Sequence, residues 1–92
     1  MYGYVLQLQD SKWYVGITSQ IENRLASHLL GKGAVWVKLH SPFHLSQIWQ
    51  LDGDCSAWEK NKTLEMMKEY GWRNVRGYCW TQRNLKRAPR CL

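Results

Sequence analysis

Arg24 and His28 stand four residues apart in the run ENRLASH, which makes them neighbours on one face of a helix. A guanidinium at the edge of such a helix can hold a phosphate or stabilise the charge of its transition state. Each residue also has a plainer role open to it. Arg24 can form a surface ion pair with Glu22 or Asp10, and His28 can be a packed, hydrogen-bonded histidine. Glu59 is followed by Thr63, Met66, Met67 and Tyr70 at the spacing of one inward helix face. A carboxylate in line with a core face needs a partner, and a hard divalent cation is one candidate. The other reading is a capping box with Ser56, which would leave Glu59 no chemistry; the spacing favours neither. Tyr4 and Tyr14 fall on two successive extended segments. A phenol can carry a proton if neighbouring cations lower its pKa, although packing is the commoner role of a strand tyrosine. Gly16, inside the second segment, marks a close approach of another backbone or a ligand.

The elements that must position these groups are legible from periodicity. Residues 2–9 alternate Tyr2, Tyr4, Leu6 and Leu8 against Gly3, Val5, Gln7 and Gln9, a half-buried strand. Asp10 and Ser11 supply turn chemistry, and residues 12–17 form a second strand, giving a β-hairpin. Ser19 and Glu22 match a capping box for a first helix with an apolar stripe at Ile21, Leu25 and Leu29, stopped at Gly31 or Gly33. Residues 31–43 read as a long loop with some extended character, and residues 44–51 as a third strand. Asp52-Gly53-Asp54 is a turn, and residues 56–70 are the second helix, ending at Gly71. Residues 72–80 read as extended or irregular, and 81–92 as a basic tail in part without fixed structure. The predicted fold is a small α+β layer, β-β-α-β-α, in a single domain of residues 1–80 followed by the tail.

The net charge of +6 is carried by the C-terminal end of the chain. Residues 1–70 hold seven Lys/Arg and seven Asp/Glu, whereas residues 71–92 hold six Lys/Arg and no acid. A basic segment interleaved with Trp72, Tyr78 and Trp80 suits a polyanion with stacking bases, nucleic acid above all; the plainer reading is a solvated tail. Six tryptophans either fill a thin core or line a binding face. Cys55, Cys79 and Cys91 show no metal-ligand spacing, and an odd, scattered count fits a reducing, cytoplasmic compartment. A strand beginning at Tyr2 leaves no place for a signal peptide, and no apolar run approaches the roughly 18 residues that read as a membrane span.

Tyr2-Gly3-Tyr4, Tyr14-Val15-Gly16 and the following ENRLASH run together resemble the GIY-YIG nuclease superfamily. The similarity extends through GKGAVWVKLHSP and the run Glu59, Thr63, Met67, Gly71, Asn74-Val75-Arg76-Gly77, like that of small single-domain members, and covers roughly residues 2–80. The first motif has glycine where the family often has isoleucine. Tyr78 stands where the subgroup usually has a second glycine, which makes the conformation of that loop a question for the structure.

The resemblance implies a three-stranded antiparallel sheet flanked by helices and a metal-dependent endonuclease that cuts one DNA strand per active site. It implies Tyr4, Tyr14, Arg24, His28 and Glu59 as the catalytic set, with Glu59 holding Mg²⁺ or Mn²⁺, and Asn74 near the site. Lys12 is placed to lower a tyrosine pKa. Lys12, Lys32, Lys38, Asn74, Arg76, Arg83, Lys86 and Arg87 are the expected nucleic-acid contacts. His40 and His44 read as structural or DNA-facing. The expected partner is DNA, plain, branched or damaged, with RNA open as well, and a homodimer or a targeting protein would supply concerted cleavage or specificity. A non-catalytic nucleic-acid-binding module on the same fold is the alternative; a tryptophan-rich protein-interaction module is a more distant one.

Overall fold

The hairpin forms as the alternation dictates. The computed structural model describes residues 1–92, with β1 at Tyr2–Leu8 and β2 at Lys12–Thr18 paired antiparallel in the register Tyr4↔Gly16 and Leu6↔Tyr14. Asp10 and Ser11 turn the chain with φ of 64° and 58°, the left-handed region that aspartate tolerates better than most side chains. α1 spans Ile21–Leu29, α2 Val35–Leu39, β3 Pro42–Gln50, α3 Cys55–Tyr70 and β4 Val75–Gly77.

The sheet differs from the sequence-based expectation. It has four strands in the order β3-β1-β2-β4, and it is mixed, because β4 runs parallel to β2 while the other pairs are antiparallel. β4 contributes three residues, Val75, Arg76 and Gly77, beside Trp13, Tyr14 and Val15. A strand this short carries no period of its own. The parallel crossover from β2 takes the whole stretch of α1, α2, β3 and α3, so nothing local in residues 72–80 announces it. The segment read as a loop over residues 31–43 contains α2, whose Trp36 and Val37 are buried, and the start of β3.

Each face of the sheet has its own core. Even-numbered Tyr4, Leu6, Leu8 and Tyr14 pack with Trp36 and Val37 of α2 and with Ile21 and Leu25 of α1. Odd-numbered Val5, Val15 and Val75 pack with Met66 and Met67 of α3, and Trp13, Trp49, Trp58, Trp72, Trp80 and Leu85 surround them. The tryptophans therefore serve mostly as a rim that widens a thin core. Leu85 and the buried Pro89 lie in the basic tail, which folds back on the domain.

Helix ends also differ in detail. α1 has Gln20 at its N-terminal boundary with no side-chain cap, so the Ser19–Glu22 box does not form. Along α1 the inward face is Ile21, Leu25 and His28, and Leu29 is 73% exposed. α3 is capped by Asp54, whose Oδ1 accepts from the Ala57 N–H at 3.1 Å. Ser56 lies inside the helix, and Glu59 is left free of capping duty.

Candidate active site

Tyr4 and Tyr14 project from the same sheet face with ring centroids 6.3 Å apart, and His28 of α1 closes the triangle at 5.8 Å from Tyr4 and 5.4 Å from Tyr14. Two glycines make this packing fit. A Cβ on Gly16 would collide with the Tyr4 phenol, and a Cβ on Gly33 would collide with the His28 ring. Glycine is required at both for clearance.

Tyr4 Oη and His28 Nε2 are 2.9 Å apart, a buried hydrogen bond. His28 Nδ1 is also buried and has no partner. Burial, with the Arg24 charge nearby, pushes the His28 pKa down to about 4, so the ring is neutral at ordinary pH. A neutral ring carries one proton. An orphaned acceptor costs less than an orphaned donor, so the proton is assigned to Nε2, which donates to Tyr4 Oη. The proton of Tyr4 itself then points away from the histidine.

Arg24, half-buried on α1, sits by both phenols. Its hydrogen bonding and charge lower their pKa values, while burial raises them. For Tyr4 burial wins and its pKa stands at about 12; Tyr14 is also held above its usual value. Neither is a preformed phenolate. A polar hollow of about 230 Å³ lies beside Arg24, lined by Thr18, Ser19, Gln20, Asn23 and Ser27, with no carboxylate.

Glu59 reaches this set from α3, on the other side of the sheet. Its charge raises both phenol pKa values, which places it in electrostatic reach of them. Burial raises its own pKa, opposed by a hydrogen bond from the backbone N–H of Tyr78. Tyr78 has φ 54°, so this position keeps the left-handed conformation that glycine favours even though it is a tyrosine. Gly77, just before it, has no room for a Cβ between Thr63 and Val15. The loop that carries this donor therefore has the shape a second glycine would give it.

No group of three His, Cys, Asp or Glu converges in the fold. Mg²⁺ needs no such cage, because it keeps most of its waters and takes one or two carboxylates plus substrate phosphate oxygens. Glu59, partly desolvated and with a single backbone donor, fits that use. The other sequence-predicted residues divide. Lys12 Nζ donates to Asn74 Oδ1 at 2.8 Å, and Asn74 Nδ2 donates to the Tyr70 carbonyl at 2.8 Å, so this pair straps β2 to the end of α3. The shifts of Tyr4 and Tyr14 have Arg24, not Lys12, as their cationic cause. Arg76 is 3% exposed and donates to the carbonyls of Trp72, Arg73, Val75 and Gln82, so it is an interior clamp and not a surface contact. Lys32, Lys38, Arg83, Lys86 and Arg87 are exposed. His40 packs edge-on against Trp36 and lies 3.4 Å from Asp10 Oδ2, and His44 is exposed on β3. Sequence reasoning missed the Tyr78 N–H, the Asp54 cap and the Gly33 clearance; of these, the aspartate just before α3 and the glycine in GKG left a trace to read.

The chain is similar to several curated proteins. The UPF0213 protein of Lactococcus lactis subsp. cremoris is 37% identical over 70 residues, covering 71% of each chain. The UPF0213 protein YsiG of Lactococcus lactis subsp. lactis is 36% identical over 70 residues, 71% of this chain and 67% of the relative. That of Halalkalibacterium halodurans is 33% identical over 60 residues, 63% of this chain and 64% of the relative. The chain thus spans about two thirds of the length of the curated relatives it matches. No solved structure matches it significantly. No helix is long and apolar enough to cross a membrane. The model of the GIY-YIG catalytic domain matches residues 1–77, from β1 through β4, and the chain belongs to the GIY-YIG family.

Proposed function

We propose that this protein is a divalent-metal-dependent endonuclease that hydrolyses phosphodiester bonds of DNA, one strand per active site. The observation that carries this reading is the clustering of Arg24, Tyr4, Tyr14 and His28, with Glu59, a carboxylate that no cap or ion pair occupies, in electrostatic reach of both phenols. A pure binding surface has no need of a carboxylate aimed toward a phosphate.

The scissile phosphate lies against Arg24, whose guanidinium stabilises the charge that grows on the equatorial oxygens. Glu59 would hold Mg²⁺ or Mn²⁺, which when bound would supply Lewis-acid stabilisation of developing charge. Water adds to phosphorus and gives up one proton, the P–O3′ bond breaks, and the released O3′ takes up one proton, leaving a 5′-phosphate and a 3′-hydroxyl. Tyr4 and Tyr14 are neutral; Tyr14, the less buried of the two, holds water or phosphate as a hydrogen-bond donor, Tyr4 backs it from the interior, and Arg24 opposes the rise that burial gives both phenol pKa values. Tyr4 is oriented by His28, whose ring stays neutral and acts as a positioning group. Burial of the pair excludes water from that side.

The test is nicking of supercoiled plasmid with Mg²⁺, Mn²⁺ or EDTA, for wild type, Glu59→Ala and Arg24→Ala, with DNA binding measured in parallel. Metal-dependent nicking that both variants abolish while still binding supports the reading. Binding without cleavage of plasmid, branched or single-stranded DNA replaces it with a nucleic-acid-binding module.

A further inference from the structure

Arg76 is a buried cation without an anion. Its neighbours are carbonyl oxygens at 2.7–3.2 Å and the face of Trp36, whose ring centroid lies 4.0 Å from the guanidinium carbon. The ion pairs of the molecule are His40–Asp10 and Lys62–Glu65, and neither includes it. Buried charges are ordinarily paired, because desolvation of a lone ion is costly. Burial accordingly lowers the pKa of Arg76.

Arg76 lies in the floor of a groove of about 510 Å³ between α2, the Trp72–Asn74 turn and the first residues of the C-terminal segment. Arg73, Arg83, His40 and Asn84 line it together with Arg76 and Trp36, and none of its lining residues is acidic. The one carboxylate that meets a lining residue is Asp10, 3.4 Å from His40 Nδ1. Arg73 and Arg83 are exposed and offer free donors. Arg76 also fixes where Arg83 stands, since its Nε donates to the Gln82 carbonyl at 2.7 Å and its Nη2 to the Arg83 carbonyl at 3.4 Å.

Position relative to the catalytic set follows from register. Arg76 pairs with Tyr14 across parallel strands, so the two side chains leave the same sheet face one strand spacing apart, about 5 Å. Trp36 belongs to the cluster of Tyr4 and Tyr14 and carries Arg76 on its ring. The groove thus lies on the same sheet face as Tyr14, next to the Tyr4, Tyr14 and Trp36 cluster.

We propose that this groove is a second, non-catalytic phosphate site, which takes a non-scissile phosphodiester of the bound nucleic acid on Arg73 and Arg83, with Arg76 as the positioning residue beneath. It rests on the nucleic-acid substrate of the proposed function. The missing counter-charge of Arg76 is supplied by the ligand. Phosphate contacts of this kind fix register on the strand without reading sequence.

The test uses ¹⁵N NMR of the full chain, following the Arg76 Nε–H and the Trp36 indole N–H, both of which are hydrogen-bonded and therefore sharp reporters. Inorganic phosphate and a short duplex DNA without metal are titrated into wild type, Arg24→Gln and the double variant Arg73→Gln/Arg83→Gln. Both substituted groove arginines are exposed, so the fold is retained. Shifts of both signals with phosphate and with DNA, kept in Arg24→Gln and abolished in the double variant, are expected. The slope of log affinity for DNA against log salt should fall by about one in the double variant, because one phosphate is no longer neutralised there. Shifts with phosphate and none with DNA overturn the proposal, as does a double variant whose salt slope equals that of wild type. Plasmid nicking separates the two readings. Wild-type nicking without groove shifts removes the groove and leaves the nuclease; groove shifts on DNA without nicking leave the groove and remove the nuclease.

Discussion

His28 couples the site to the stability of the whole fold. Its ring is 1% exposed, one nitrogen meets Tyr4 Oη at 2.9 Å, the other has no partner, and the pKa falls from 6.5 to about 4. Between those values the unfolded chain binds a proton that the folded chain refuses. Stability therefore rises with pH across this window, by about 1.4 kcal/mol per unit, and is lost as pH falls toward 4. Over 2.5 units the contribution is about 3 kcal/mol, a large share of what a domain of this size has. The perturbation is His28→Gln, which removes the titration and retains a polar side chain. Urea unfolding of wild type and variant, from pH 7.5 to 4, reads the difference. The stability advantage of wild type should shrink by about 3 kcal/mol as pH falls through 6.5 to 4. Glu59, with its raised pKa, acts in the opposite direction, since its folded form takes up a proton first; it is present in both proteins and cancels in the difference. Curves that stay parallel from pH 7.5 to 4 would refute the account of His28 as a buried neutral ring.

Substitutions at three other positions probe the site and its supports. Glu59→Gln should reduce nicking at least about a hundredfold while leaving stability within about 1 kcal/mol or raising it, since a desolvated carboxylate is removed; nicking and thermal melts check both halves. Arg76→Met leaves the carbonyls of Trp72, Arg73, Val75 and Gln82 without their donor and should cost about 3 kcal/mol, measured by urea unfolding, with faster proteolysis of residues 81–92. Tyr78→Gly should keep activity and change stability by no more than about 1 kcal/mol, because φ 54° suits glycine, whereas Tyr78→Pro loses both that conformation and the N–H that faces Glu59, and should lose nicking; both variants are read in the plasmid assay beside a melt.

The chain by itself determined the hairpin, α1, α3 and the spacing of the catalytic candidates. Alternation over residues 2–9 and the four-residue steps at Arg24–His28 and Glu59–Thr63–Met67 are local, and local spacing is what periodicity reports. Tertiary structure decided the rest. β4 exists because three residues find β2 as a parallel neighbour, and a partner about sixty residues away leaves no mark on a three-residue window. α2 is a five-residue turn held by the burial of Trp36 and Val37, too short for a helical period to show. The stripe Ile21, Leu25, Leu29 was right about the helix and wrong about its last inward residue. α1 turns His28 toward Tyr4 and leaves Leu29 in solvent, a choice made by the clearance at Gly33 and the hydrogen bond to the phenol. Composition marked Arg76 as one more cation of a basic segment. Its register opposite Tyr14 turned it inward onto Trp36, where neutral carbonyls hold a charge that nothing else in the chain balances. Residue type and spacing thus named the groups that can do chemistry, and long-range packing decided which of them face one another, because pairing across the sheet is set by contacts between segments far apart in the chain.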